Sequence, residues 1–196
     1  MDFAYAHGAT PLDPDEAAGL IPAHISTQGA LNTWEEANIA EGERWALRQK
    51  KKELLDAPFL QALHQKMFGD TWAWAGKFRL SNKNIGVEWA EVPVRVRQLL
   101  DNTQAQIEHK AYPEDELAIR FHHQLVLIHP FPNGNGRHAR LMADLLALKL
   151  GQPRFTWGSQ LGAALAAPSQ VRHAYIKALH EADRGQIEAL LKFARS

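Results

Sequence analysis

The sequence contains no cysteine, so structural disulfides, thiol catalysis and cysteine-ligated zinc are excluded. It also has no run of 18 apolar residues, and it does not begin with a basic segment followed by an apolar one. Lysine plus arginine balance aspartate plus glutamate at 22 each, so no overall positive field favours nucleic acid. We therefore expect a soluble, cytoplasmic protein that binds neither membranes nor nucleic acid directly.

Apolar periodicity predicts an all-α protein of about eight helices in one domain. Residues 1–30 are rich in glycine and proline and are expected to form an irregular arm, while residues 31–196 form the domain. Thr33 and Glu36 match a capping box, which predicts a helix over about 33–51. The other predicted helices run from Asp56 to Phe68, Pro93 to about 110, Pro113 to Ile128, Gly136 to about 150, 159–166, Pro168 to Asp183 and Gln186 to Ala194.

Only residues 77–89 have strand character. Turn-forming residues between short apolar runs predict a small β-hairpin there.

Glu41 is predicted to face the core. At 100° per residue it shares a helical stripe with Trp34 and Trp45, and a buried carboxylate needs a partner. Arg44 and Arg48 are available at helix spacing.

The most informative stretch is 129–140, which lies between two strongly apolar segments. Gly134-Asn135-Gly136 leads into a helix N-terminus, where unpaired backbone N–H groups and the helix dipole favour anions such as phosphate. Arg137 and Arg140 follow on one face, and guanidinium groups match phosphate oxygens. The glycine pattern is not that of a Walker loop.

His129 lies at the other end of this turn, where a neutral imidazole can accept a proton from a hydroxyl. Taken singly, a histidine before proline is more often a capping or packing residue, and paired arginines more often pair with buried carboxylates. Their conjunction within twelve residues favours a site. A metal-hydrolase interpretation of His122, His123, His129 and His138 is disfavoured, because adjacent histidines on a helix point about 100° apart.

This stretch resembles the signature of the Fic domain family, His-x-Phe-x-(Asp/Glu)-Gly-Asn-Gly-Arg-x-x-Arg. All seven fixed positions outside the acidic one match, namely His129, Phe131, Gly134, Asn135, Gly136, Arg137 and Arg140. A chance match would arise on the order of once in ten million such chains. The resemblance extends over most of residues 33–195 and is closest to the subgroup called mobile mystery protein B.

The resemblance implies transfer of AMP from ATP to a Ser, Thr or Tyr hydroxyl of a target protein. His129 would be the general base and Phe131 a core anchor. Asn84, Ile85 and Gly86 resemble the family's flap, which would align the target peptide by strand addition. The phosphates would be held by Gly134, Asn135, Gly136 and Arg137, with Arg140 on the γ-phosphate.

The sequence departs from the signature at the acidic position, which holds Mg²⁺ (or Mn²⁺) in the family and is Asn133 here. A neutral amide binds a hard cation more weakly than a carboxylate does. Slow activity, another phosphate-containing donor, or no catalysis all remain open. The last case gives a second hypothesis, in which a degenerate Fic domain binds a helix-turn-helix regulator as a protein partner.

The resemblance also gives Glu41 an inhibitory role. Many Fic proteins carry a helix with (Ser/Thr)-x-x-x-Glu-(Gly/Asn), whose glutamate pairs with the second arginine of the signature. Residues 37–42 match this pattern except that Ala37 replaces the hydroxyl residue. A pair between Glu41 and Arg140 is therefore expected to restrain the enzyme.

Overall fold

The computed structural model describes residues 12–49, 53–160 and 168–196. These residues contain eight α-helices and one 3₁₀ turn at Trp89–Glu91. The helices are α1 (Pro14–Ala17), α2 (Gln28–Leu47), α3 (Ala57–Phe68), α4 (Val92–Glu108), α5 (Glu114–Ile128), α6 (Asn135–Lys149), α7 (Pro168–Asp183) and α8 (Glu188–Ala194). The predicted all-α class is confirmed, while most of the helix expected at 159–166 lies outside the described residues.

Helices α5 and α6 form the centre of the domain, as their apolar sequences predict. They pack against each other, with α4 and α8 against α5, and with α2 and α3 against α6. The chain passes from α5 to α6 through residues 129–134, so the signature lies at one end of the central pair. Among the described helices, none combines the length and the apolar character needed to cross a membrane.

Helix α2 begins earlier than predicted. Its N-cap is Thr27, whose hydroxyl oxygen accepts a hydrogen bond from the Ala30 backbone N–H at 3.2 Å. Thr33 lies inside the helix and donates to the Gly29 carbonyl instead. The capping box at Thr33 was therefore wrong, because a glycine in the first turn hid an earlier capping threonine.

The face of α2 that turns inward also differs from the prediction. Trp34 is 37% exposed, and the Glu41 side chain is 63% exposed and pairs with Arg44. The inward orientation predicted for Glu41 is therefore wrong, and the alternative partner Arg44 is the one observed. The buried positions are Leu31, Glu35, Asn38, Gly42 and Ala46.

The close approach of α2 and α3 explains this orientation. A Cβ atom built on Gly42 would lie 2.9 Å from both the Cα and the backbone nitrogen of Met67. Only a small residue fits at such a contact, whereas an indole needs the edge of the interface. Trp45 accordingly stacks at the margin on Phe59, with ring centroids 5.6 Å apart.

The N-terminal segment is attached to the domain by main-chain hydrogen bonds. Leu20 and Trp72 form an isolated antiparallel bridge. The Ile21 N–H donates to the Thr71 carbonyl, and the Ala73 N–H donates to the Gly19 carbonyl, both at 2.9 Å. The described part of the predicted arm therefore contacts the chain just before the flap.

The flap, residues 77–88, is an irregular loop rather than the predicted β-hairpin. Its carbonyl groups at Ser81 and Val87 accept hydrogen bonds from the Arg79 side chain. A two-stranded hairpin is marginal on its own. Here a buried guanidinium provides hydrogen bonds that a second strand would otherwise provide.

Two glycines of α2 test the packing argument. Gly42→Ala should lower the free energy of unfolding by roughly 1–3 kcal/mol, because the new methyl group overlaps the Met67 backbone. Gly29→Ala is the control, since a Cβ there meets no atom within 4 Å. It should be neutral or raise stability by up to about 1 kcal/mol. Urea unfolding measures both, and a stable Gly42→Ala protein would contradict the proposed contact.

Candidate functional site

His129 ends α5 and is held in an unusual backbone conformation. Its φ is 55° and its ψ is 61°, in the left-handed region. Its N–H donates to the Leu125 carbonyl at 3.2 Å, and its own carbonyl accepts from Arg79 Nε at 2.7 Å. The main chain on both sides of the imidazole is thereby fixed.

Arg79 connects the flap to this helix end. Its side chain is buried, with the residue 1% exposed, and it donates to carbonyl groups at the end of α5 and in the flap. Its backbone N–H also donates to the Pro130 carbonyl at 2.9 Å. The carbonyls at a helix C-terminus carry partial negative charge, so they favour a cation at this position.

The environment of His129 keeps its imidazole neutral. Burial, and after it the positive charge of Arg79, lowers the pKa of His129 to about 4. The neutral form at pH 7 has a ring nitrogen able to accept a proton. Gly86 of the flap lies directly against it, since a Cβ built on Gly86 would come 2.7 Å from the His129 Cβ.

Asn135 stabilises the turn rather than facing a ligand. Its Oδ1 accepts from the Phe131 N–H at 2.9 Å, and its Nδ2 donates to the Phe131 carbonyl at 2.8 Å. The residue is 3% exposed. Its side chain is therefore engaged within the loop, and only its backbone N–H remains a candidate for the phosphate contact predicted for it.

His64 of α3 is a second support of this loop that sequence reasoning missed. Its Nδ1 accepts from the Gly76 N–H, and its Nε2 donates to the Asn133 carbonyl, each at 3.0 Å. Its ring stacks on the fully buried Phe131 with centroids 3.7 Å apart. Phe131 is thus a core anchor as predicted. In the sequence, the only sign of this role was the position of His64 on the apolar side of α3.

The two glycines of the signature, Gly134 and Gly136, have different structural roles. Gly134 has φ of +77°, and a Cβ there would come 2.7 Å from the Phe68 ring. Gly136 lies in the first turn of α6, where the nearest atom to a built Cβ is Tyr175 Oη at 3.8 Å. The fold itself therefore requires glycine only at Gly134. The bare backbone at Gly136 leaves room for a ligand beside the helix N-terminus.

The two arginines of the signature differ in their partners. Arg137 pairs with Glu35, Nη1 to Oε2, at 2.5 Å and lies over the Phe68 ring at 4.9 Å. Arg140 is partly buried, and its guanidinium carbon lies 5.3 Å from the centre of the Tyr175 ring. No carboxylate in the described part of the chain lies within ion-pair distance of Arg140.

Burial lowers the pKa of Arg140 from its usual value. A desolvated guanidinium without an ion pair is a position at which an anion gains free energy.

Tyr175 also lies in the site, beside Arg140. The sequence did not predict a role for it. Its Oη lies 3.0 Å from His122 Nε2. Burial raises the pKa of Tyr175 to about 12 and lowers that of His122 to about 3, so both groups are neutral at pH 7. A neutral hydroxyl therefore lies next to Gly136 and Arg140.

The carboxylate of α2 that forms an ion pair with a signature residue is that of Glu35, not that of Glu41. Glu35 is 6% exposed, and its Oε1 also accepts from Trp72 Nε1 at 2.7 Å. The predicted pair between Glu41 and Arg140 is not formed. The sequence offers several acidic residues on α2, and only the packing of α2 on α3 selects the one that faces inward.

The residues around Asn133 do not fit a magnesium ion. Its Oδ1 accepts from the Gly134 N–H at 2.6 Å and faces Arg137 Nη2 at 3.5 Å. Both oxygens of Glu35 are engaged, by Trp72 and by Arg137. Asp144 accepts hydrogen bonds from the chain after α6 and anchors that chain. Within the described residues, no cluster of three His, Cys, Asp or Glu side chains could hold a metal ion.

Comparison with known proteins agrees with this geometry. Residues 54–147 match the model of the Fic/DOC family. Protein adenylyltransferase fic-1 of Caenorhabditis briggsae is 27% identical over 152 residues, which cover 76% of this chain and 28% of that protein. The probable protein adenylyltransferase y4lH of Sinorhizobium fredii is 28% identical over 137 residues, which cover 66% of this chain and 70% of that protein. The chain thus spans little more than a quarter of the Caenorhabditis relative.

Solved structures share the fold at lower identity. BepC of Bartonella tribocorum, solved with bound AMPPNP, has a TM-score of 0.68 and 16% identity, with 93% of this chain and 97% of that chain covered. Fic-1 of Caenorhabditis elegans, residues 134–508, has a TM-score of 0.64 and 23% identity, with 92% and 51% covered.

Four buried histidines around this site predict a strong dependence of stability on pH. Burial lowers the pKa of His138 to about 4 and the pKa of His64 well below its usual value. It is also the main cause of the lowered pKa values of His122 and His129. These side chains stay neutral in the folded protein, whereas unfolded histidines take up protons below about pH 6.5. Stability should therefore fall as the pH falls from about 6.5 towards 4.

Urea unfolding between about pH 6.5 and 5 should show a slope of at least about 3 kcal/mol per pH unit, equivalent to two or more protons. His138→Gln should reduce the slope by about 1.4 kcal/mol per pH unit, and replacing the exposed His109 by Gln should not change it. A slope below about 1 kcal/mol per pH unit would contradict the neutral, buried state of these side chains.

Proposed function

We propose that the chain, whose residues 54–147 match the model of the Fic/DOC family, is a protein adenylyltransferase. It transfers AMP from ATP to a Ser, Thr or Tyr hydroxyl of a target protein. The observation that carries the proposal is the position of the buried His129 at the end of α5 and of Arg140 on α6, where Arg140 forms no ion pair within the described residues. The names of the relatives, which are protein adenylyltransferases, support the same reaction.

In the proposed reaction the target hydroxyl oxygen bonds to the α-phosphorus of ATP. The bond from that phosphorus to the bridging oxygen breaks, and pyrophosphate leaves with the electron pair. His129 accepts the hydroxyl proton. Phosphoryl-type transfers pass through a loose transition state in which positioning and charge stabilisation dominate, so an imidazole of low basicity is adequate.

The phosphates lie in this proposal at the N-terminus of α6. The backbone from Gly134 to Gly136 provides N–H groups, and the helix dipole adds positive potential. Arg137 and Arg140 contribute guanidinium groups on one face of the helix. Arg140, which has no ion pair in the described structure, binds the phosphate farthest from His129.

The target peptide lies along the flap at Asn84, Ile85 and Gly86. These residues are exposed, and in the described structure their backbone groups form no hydrogen bonds. An extended peptide can therefore add to this edge and bring its hydroxyl over His129, which lies beneath Gly86. Restraint by Glu41 is not part of the proposal, because its carboxylate is on the outer face of α2.

A second candidate function is favoured by Asn133, at the usual acidic position. A Fic domain that no longer transfers AMP would act through protein binding, with a helix-turn-helix regulator as the partner. Such a domain keeps its biological effect in the His129→Asn variant and co-purifies with the regulator. Another phosphate-containing donor, such as CDP-choline, is a third outcome, which a panel of labelled donors distinguishes.

Label transfer tests the first candidate. ATP labelled at the α-phosphate should transfer label to protein in a cell extract, whereas ATP labelled at the γ-phosphate should not. His129→Asn should reduce transfer by at least about 100-fold through loss of the base. Asparagine tolerates the left-handed backbone at this position better than alanine does. His109→Asn on the exposed surface is the control, and unchanged transfer in His129→Asn would refute the assignment.

Gly136→Ala tests the phosphate position separately from folding. Gly136 and Gly29 each occupy the second residue of a helix, and each has room for a methyl group. Both alanine variants should fold with unchanged or slightly raised stability. Only Gly136→Ala should weaken ATP binding in calorimetry, by about tenfold or more, because its methyl group enters the phosphate position. Equal ATP affinity in the two variants would exclude this position.

A further inference from the structure

We propose that this site binds its nucleotide without a divalent cation, and that Arg137, fixed by Glu35, provides the positive charge that the family resemblance assigns to a metal at this position. The inference rests on the proposed nucleotide-binding function and concerns how the same site holds the phosphates. Three features of the structure carry it.

The first feature is the oxygen of Asn133. Its Oδ1 accepts from the Gly134 N–H at 2.6 Å and lies 3.5 Å from Arg137 Nη2. It is therefore a neutral oxygen facing two positively polarised donors. A magnesium ion at that oxygen would lie close to the guanidinium charge, and Asn133 adds no negative charge to offset the repulsion.

The second feature is that Glu35 cannot replace the missing acid as it stands. Its Oε1 is bound by Trp72 Nε1 at 2.7 Å and its Oε2 by Arg137 Nη1 at 2.5 Å. The side chain is 8% exposed, so both hydrogen bonds are shielded from water. Freeing the carboxylate for a cation would break a buried ion pair and leave the Trp72 N–H without its acceptor.

The third feature is the fixed position of Arg137. Its Nη1 contacts Glu35, its Nη2 faces Asn133, and its guanidinium carbon lies 4.9 Å from the centre of the Phe68 ring. The side chain is nevertheless 33% exposed. A guanidinium has five N–H donors, so several remain for phosphate oxygens. A positioned arginine beside the N-terminus of α6 provides positive charge without a metal.

Calorimetry with α,β-methylene-ATP, in which the bond broken during AMP transfer is blocked, tests the inference. The wild-type protein should bind no more tightly in Mg²⁺ than in EDTA, because its site gains nothing from the cation. Asn133→Asp, which keeps the size and the acceptor oxygen, should bind at least about tenfold more tightly in Mg²⁺ than in EDTA, because a cation then gains an anionic ligand. Asn102→Asp, an equal change of charge on the exposed face of α4, should retain the wild-type ratio.

Electron paramagnetic resonance of Mn²⁺ gives a second readout. Adding wild-type protein to Mn²⁺ and the same nucleotide should not reduce the free Mn²⁺ signal further, whereas adding Asn133→Asp should. Wild-type binding that needs Mg²⁺ overturns the inference but leaves the proposed function intact. If that Mg²⁺ requirement disappears in Glu35→Gln, Glu35 is the metal ligand. Failure to bind in either buffer overturns the proposed function as well.

Discussion

The buried guanidinium of Arg79 is the interaction on which the site depends. It donates to main-chain carbonyls at the end of α5 and in the flap, including His129 and Val87. An arginine buried in this way is costly unless its donors are satisfied, and here the negative end of a helix dipole and several carbonyls satisfy it. One side chain thereby fixes the flap, the end of α5 and the backbone of the candidate base.

Ring stacking and hydrogen bonds also stabilise the connection from α5 to α6. His64 stacks on Phe131 and bonds both Gly76 and Asn133, while Asn135 closes the loop on Phe131. The side chains of His64 and Asn135 are buried, so a lost partner would leave an unsatisfied buried group. Contacts within the protein therefore position the loop backbone, as the proposed phosphate position requires.

Sequence reasoning predicted the helices from α3 onwards better than the N-terminal part of the chain. Helices α3 to α8 were predicted to within a few residues, because proline, glycine, acidic first turns and strongly apolar segments mark them. The signature marked His129, Gly136 and the two arginines as candidate site residues. It did not reveal that the Asn135 side chain is engaged by the loop, since that depends on the three-dimensional course of six residues.

The errors on α2 have one physical origin. Two tryptophans suggested an inward stripe, but the interface with α3 is too close for them, and Gly42 and Ala46 occupy it. Rotating the helix accordingly places Glu35 rather than Glu41 inside. Hydrophobic periodicity measures apolar character, whereas the approach distance between helices is set by side-chain size. The flap hairpin failed for a related reason, because a side chain and not a second strand satisfies its carbonyls.

The carboxylate that pairs with the signature, that of Glu35, lies outside the part of the chain that the family model matches. Glu35 belongs to α2 and Tyr175 to α7, whereas residues 54–147 contain the signature and the flap. The matched region provides the candidate base His129, the N-terminus of α6 and both arginines. On the flanking helices, Glu35 pairs with Arg137 and the Tyr175 ring lies beside Arg140. In this chain the acidic position of the signature is Asn133, and the carboxylate that contacts the signature is Glu35 of α2, which pairs with Arg137. The signature alone therefore does not determine the electrostatics of the site.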